Sequence, residues 1–151
     1  MIPINLRREW AFAIGEFVIE FCQLEGLITE VIMLHALDGQ FEILSEINFG
    51  QRVKLAKSVL TNHHVQNENF IKSIIDEIQS IGSMRNAIAH NGFSIVVDEA
   101  CSKGVVYEVG IEKRKCRDMS VISIKEVLRN VERLKYIQEQ LFDLMSKVLK
   151  A

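Results

Sequence analysis

Apolar residues recur in steps of four and three along the first quarter of the chain, through Trp10, Ile14, Phe17, Phe21, Leu24, Ile28, Val31 and His35. This spacing draws one continuous seam on a helix over about Arg8 to Leu37, suited to packing nearly antiparallel against another long helix. Asp38-Gly39 breaks the pattern. A second helix is predicted over about Phe49 to His63, with Asn48 as its N-cap and Val53, Leu55, Ala56 and Val59/Leu60 facing inward. A third runs from about Asn67 to Ala89, with Ile71, Ile74, Ile75, Ile78 and Ile81 on one face.

Asn91-Gly92 is a helix-ending pair, and the pattern then changes. "FSIVVD" and "GVVYEVGIE" are rich in branched and aromatic residues and are separated by turn signals, which predicts a small β-hairpin. Ser123 followed by Glu126 has the form of a capping box and opens a last helix reaching about Leu149. Its seam reads Val127, Val131, Leu134, Leu141, Met145 and Val148, interrupted by Gln138. The expected fold is mainly α: a single domain over 1–151, a bundle of four main helices with a hairpin of about 93–120 inserted before the last.

Composition narrows the classes without choosing among them. With 48% hydrophobic and 25% charged residues, the 151-residue chain has the make-up of a soluble globular domain large enough for a real core. A net charge of -2 argues against a surface coated in nucleic-acid-binding lysines, but not against one local phosphate pocket. Cys22, Cys101 and Cys116 show no Cys-x-x-Cys spacing and read as reduced thiols of a cytoplasmic protein. The start lacks a signal-peptide run, and "GLITEVIMLHAL" is too short to span a bilayer.

Charges on apolar faces carry more information. The series Ile71, Ile74, Ile78, Ile81, Arg85, Ile88 keeps the three-four rhythm, so an arginine occupies the inward face of the third helix. Arg85 must be paired and partly buried, or lie at an opening in the core or at a subunit interface. Glu25 interrupts the first helix between Phe21 and Ile28 in the same way, and a Glu25–Arg85 salt bridge would answer both demands. His90 lies about 140° round a regular helix from Arg85, whereas Asn86 shares its face. Arg85 and His90 can meet on one ligand only if the helix distorts or ends at His90, or if a second copy of the chain completes the site.

"RNAIAH", residues 85–90 at the end of a helix in a helical bundle, resembles the Arg-x-x-x-x-His motif of HEPN domains. The resemblance covers the helices, about residues 8 to 92 and 123 to 149. It implies a homodimer with two motifs across a composite cleft, and a metal-independent endoribonuclease needing no cofactor. Such proteins are often toxins or antiviral effectors, with an antitoxin or defence-system partner. Carried onto this chain, Arg85 would hold the scissile phosphate, His90 would move a proton, Asn86 would orient either, and Glu25 would hold Arg85 in place. Some toxins of the family carry a modified tyrosine two residues after the histidine; here that position is Gly92. Other members only dimerise or bind nucleotides or nucleic acid, which gives the alternative: a non-catalytic dimeric module.

The remaining polar features have plainer readings. Lys113, Arg114, Lys115 and Arg117 are a weak candidate for RNA contact and otherwise a solvated hairpin edge. His63-His64 read as a solvated helix end, His35 as a satisfied core or interface residue, and Cys22 and Met33 as ordinary packing residues. No metal signature is present in the sequence.

Overall fold

A computed structural model describes residues 4–35, 41–90 and 122–150, leaving aside the side chains of Leu6, Phe41 and His90. Among these residues all regular structure is helical: α1 (Ile4–His35), α2 (Phe41–Leu44), α3 (Phe49–His63), α4 (Glu68–His90) and α5 (Ile124–Leu149), with a 3-10 turn at Val65–Asn67. The hairpin expected at about 93–120 lies outside the described residues.

Local chemistry explains where the helices start. Asn48 and Gln51 exchange side-chain and backbone hydrogen bonds of 2.9 Å, a complete capping box that satisfies two N–H groups at the head of α3. At α5 the Ser123 hydroxyl accepts from the Glu126 N–H at 3.1 Å. The single turn of α2, absent from the sequence expectations, turns Leu44 into the core.

The core is one cluster drawn from all four long helices. Phe17, Phe21, Leu24 and Ile28 of α1, Leu60 of α3, Ile71, Ile75, Ile78 and Ile81 of α4, and Leu134 and Ile137 of α5 are fully buried. Each such side chain contributes about 1.5–3 kcal/mol relative to exposure. The seam of α5 differs from the one expected. Ile137 and Leu144 carry the step that Gln138 interrupts, while Gln138 turns toward α1 and donates to the Glu20 carboxylate at 2.8 Å.

Helix direction also departs from expectation. The Phe21 ring meets that of Phe49 at the head of α3 in a tilted pair, and His35 meets His63 at its tail, so α1 and α3 run parallel. The return is made by the segment between them. Arg85 near the end of α4 reaches Glu25 of α1, and Arg133 and Asn130 of α5 meet Glu77 and Met84 of α4. Therefore α4 runs against the other three. α1 packs chiefly between α5 and α3, and α4 closes the bundle against α3.

Candidate functional site

Rotation along α4 places Arg85 on the continuation of its isoleucine face, one turn beyond Ile81. Its guanidinium donates from Nη2 to Glu25 Oε1 at 2.7 Å and from Nη1 to Asn86 Oδ1 at 3.0 Å. Its central carbon also stands 5.3 Å from the centroid of the Phe21 ring, a cation–π contact. Arginine is suited to this position because its planar fork can bond two acceptors and stack on a ring at once. The side chains of Arg85 and Glu25 keep 31% and 28% of their exposure, so the pair sits at the mouth of the core rather than inside it. Two of its five N–H donors are engaged by Glu25 and Asn86.

A cleft of about 510 Å³ opens beside Arg85 and Asn86, walled by α4 and by the first turn of α3. Its walls include Asn48, Phe49, Gly82 and Ser83. Gly82 faces the Phe49 ring, which a Cβ there would meet at 3.4 Å, an ordinary contact. The head of α3, the positive end of its dipole, borders the same space as the guanidinium, and both favour an anion. Sequence reasoning did not find this wall. The available signals were the Asn48 cap and a glycine inside an otherwise regular helix.

His90 is the last residue of α4, so the helical backbone runs regularly from Arg85 to His90 with no distortion between them. The structure therefore brings Arg85, Asn86 and Glu25 together and puts His90 at the terminus beyond them. Lys113, Arg114, Lys115 and Arg117 lie outside the described residues.

On the other side of α4 a cleft of about 350 Å³ is lined by Met84, Asn130 and Arg133, among others. Arg133 bonds Glu77 and, through Nη1, Asn130 Oδ1 at 3.0 Å. Asn130, which is buried, donates to the Met84 sulfur at 3.2 Å. This network ties α4 to α5 just behind the Arg85 face.

His35, His63 and His64 form a cluster at the opposite end of the bundle. His35 is buried, and its Nδ1–H donates to the Val31 carbonyl at 2.6 Å, which leaves Nε2 as the lone-pair nitrogen. That Nε2 has no partner among the described residues, nor has the buried Nε2 of His64. The rings of His63 and His64 stand 4.8 and 5.8 Å from His35 edge-on, so His63-His64 close over His35 rather than forming a wholly solvated helix end. Burial pushes the His35 pKa down, opposed by the Val31 bond and helped by His63. Burial lowers that of His64 as well, with the charges of His35, His63 and Lys147 adding to the effect. Among the described residues no group of three His, Cys, Asp or Glu side chains is arranged to hold a metal ion, and no helix is long and apolar enough to cross a membrane.

No family model, curated protein or solved structure matches this chain significantly.

Proposed function

We propose that the chain is a metal-independent endoribonuclease of HEPN type that acts as a homodimer. The observation carrying this reading is the guanidinium of Arg85, oriented by Glu25, Asn86 and Phe21 at the edge of an anion-favouring cleft, one turn and a half before a terminal histidine. RNA brings its own nucleophile. The 2′-oxygen bonds to phosphorus as the bond to the 5′-oxygen breaks, and a proton moves from the first oxygen to the second. Arg85 bears the charge on the phosphate; His90 takes up or delivers the proton; Asn86 orients the guanidinium. Glu25 is a positioning residue in this scheme. A cytoplasmic toxin or defence effector, held in check by a partner protein, fits such an activity.

Incubation of the full chain with mixed RNA in EDTA tests the reading. The expected products end in 2′,3′-cyclic phosphate or 3′-phosphate, and they disappear in His90→Ala and Arg85→Ala. Equal cleavage by the parent and both variants overturns it.

The Glu25–Arg85 bond itself favours a second reading, a non-catalytic dimeric module binding nucleotide or nucleic acid, because an ion pair bridging two helices serves the fold without chemistry. That reading predicts RNA binding without cleavage by the native chain.

A further inference from the structure

The outer side of α1 carries a second apolar stripe that does not enter the core formed by the described residues. Phe12, Gly15, Ile19, Cys22, Gly26 and Met33 follow the same three-four rhythm as the core seam, on the side about 180° away from it. Phe12 is 63% exposed, Ile19 54% and Met33 48%, and Cys22 is exposed too. Cys22 and Met33, expected to be ordinary packing residues, thus face outward among the described residues.

The two glycines are the unexplained part. A Cβ added at Gly15 or Gly26 would meet nothing within 4 Å, so no contact among the described residues requires them. Each costs a helix about 0.5–1 kcal/mol relative to alanine. Close approach of something from outside accounts for both. A helix that is apolar on two opposite sides is one that is covered on both.

The stripe also has a symmetry that selects its occupant. If a second α1 lies antiparallel on the first with Ile19 on the two-fold axis, positions equally far before and after Ile19 meet. Phe12 of each copy then falls on Gly26 of the other, a large side chain over the missing one. Gln23 falls on Gly15 in the same way. At both ends Arg8, in line with the stripe, meets Glu30, so the register carries two opposite-charge pairs as well as shape complementarity.

We propose that this face of α1 binds a second copy of the chain, antiparallel and centred on Ile19. The proposal rests on α1 alone and holds whether or not the protein cuts RNA. In this dimer the two Glu25–Arg85 sites open on the same side, roughly 18 Å apart along the helix axis at about 1.5 Å per residue.

Sedimentation of the full chain across a concentration series, with two sets of variants, tests it. The native chain should be dimeric. Arg8→Glu and Glu30→Arg should each raise the dimer Kd about tenfold or more by setting like charges together, and the double variant should recover most of that loss. Gly26→Leu should give a monomer that keeps native helicity and melting behaviour, since nothing among the described residues lies within 4 Å of a Cβ there. With Cys22, Cys101 and Cys116 changed to serine, Ile19→Cys should yield a disulfide-linked dimer on mild oxidation. A native chain that stays monomeric overturns the proposal. So does a dimer indifferent to Gly26→Leu, or an Ile19→Cys chain that neither cross-links nor reacts with a maleimide, which would place residues of the same chain over this face. RNA cleavage is measured separately, so loss of one proposal leaves the other standing.

Discussion

The Arg85 guanidinium on α4 donates a 2.7 Å hydrogen bond to the Glu25 carboxylate on α1, and the two residues are sixty positions apart in the chain. Each interrupts an apolar face, and each supplies the partner the other's position demands. About a third of each side chain remains exposed, which limits the pair's worth. A buried pair broken on one side costs about 3–5 kcal/mol, whereas an exposed one contributes about 0.2–1 kcal/mol.

Arg85→Ala should therefore lower stability by about 1–2 kcal/mol, the screened ion pair plus the cation–π contact with Phe21. Urea unfolding measures this directly. Under the ribonuclease reading the same variant loses RNA cleavage by a factor of roughly a hundred or more, on the scale of a lost transition-state charge contact. Arg85→Lys keeps the charge but not the fork, so it should recover stability better than cleavage. A loss of more than 4 kcal/mol in Arg85→Ala would show that the pair works as a fully buried bridge.

His90→Ala separates chemistry from folding most cleanly. His90 terminates α4 beyond the last buried isoleucine, Ile81, so the expected change in melting temperature is within a few degrees, as for a substitution at a helix terminus. Cleavage should fall by about a hundredfold to ten-thousandfold, the usual contribution of a general acid or base. Glu25→Gln should fall between the two, slowing cleavage while retaining a hydrogen bond to Arg85.

Stability should decrease on mild acidification because of the histidine cluster. In the unfolded chain His35 and His64 titrate near 6.5, and in the folded chain both pKa values are lowered, mainly by burial. Between those values the unfolded state binds more protons, so the stability these groups contribute is complete above about pH 6.5 and declines as pH falls through the folded values. The charge of Lys147, which also lowers the His64 pKa, extends the decline to lower pH. Denaturant titrations from pH 7.5 to 5 should show the slope, and His35→Leu combined with His64→Leu should flatten it. An unchanged slope in the double variant would assign the effect to other groups.

Asn130 offers a test of the link between α4 and α5. Asn130→Ala removes the acceptor of Arg133 and the donor to Met84 and leaves a gap, at an expected cost of about 1–3 kcal/mol. Asn130→Leu fills the space and should cost less, because Arg133 is partly exposed and keeps Glu77. Equilibrium unfolding of both variants decides the order.

Much of this was legible in the sequence, for identifiable reasons. The isoleucine face of α4 and the core seam of α1 follow from rotation per residue, a local property. The Glu25–Arg85 pair follows from it too, since a charge projected onto an apolar face requires a partner. The seam of α5 was less legible: Gln138 hid the step that Ile137 carries, and Asn130 gave no sign that it would be buried.

By itself the sequence determined which long stretches are helical among the described residues, where Asn48 and Ser123 start two of them, and which residues of α4 face inward. These depend on periodicity and on hydrogen bonds within one turn. Only the tertiary structure decided that α1 and α3 run parallel, because a three-four seam reads the same in either direction. It alone brought the head of α3 beside Arg85 to make a cleft, and closed His63 and His64 over His35. It also left the outer stripe of α1, with Phe12, Ile19 and Met33, exposed among the described residues, because packing of α3 and α5 against the seam covers one side of the helix.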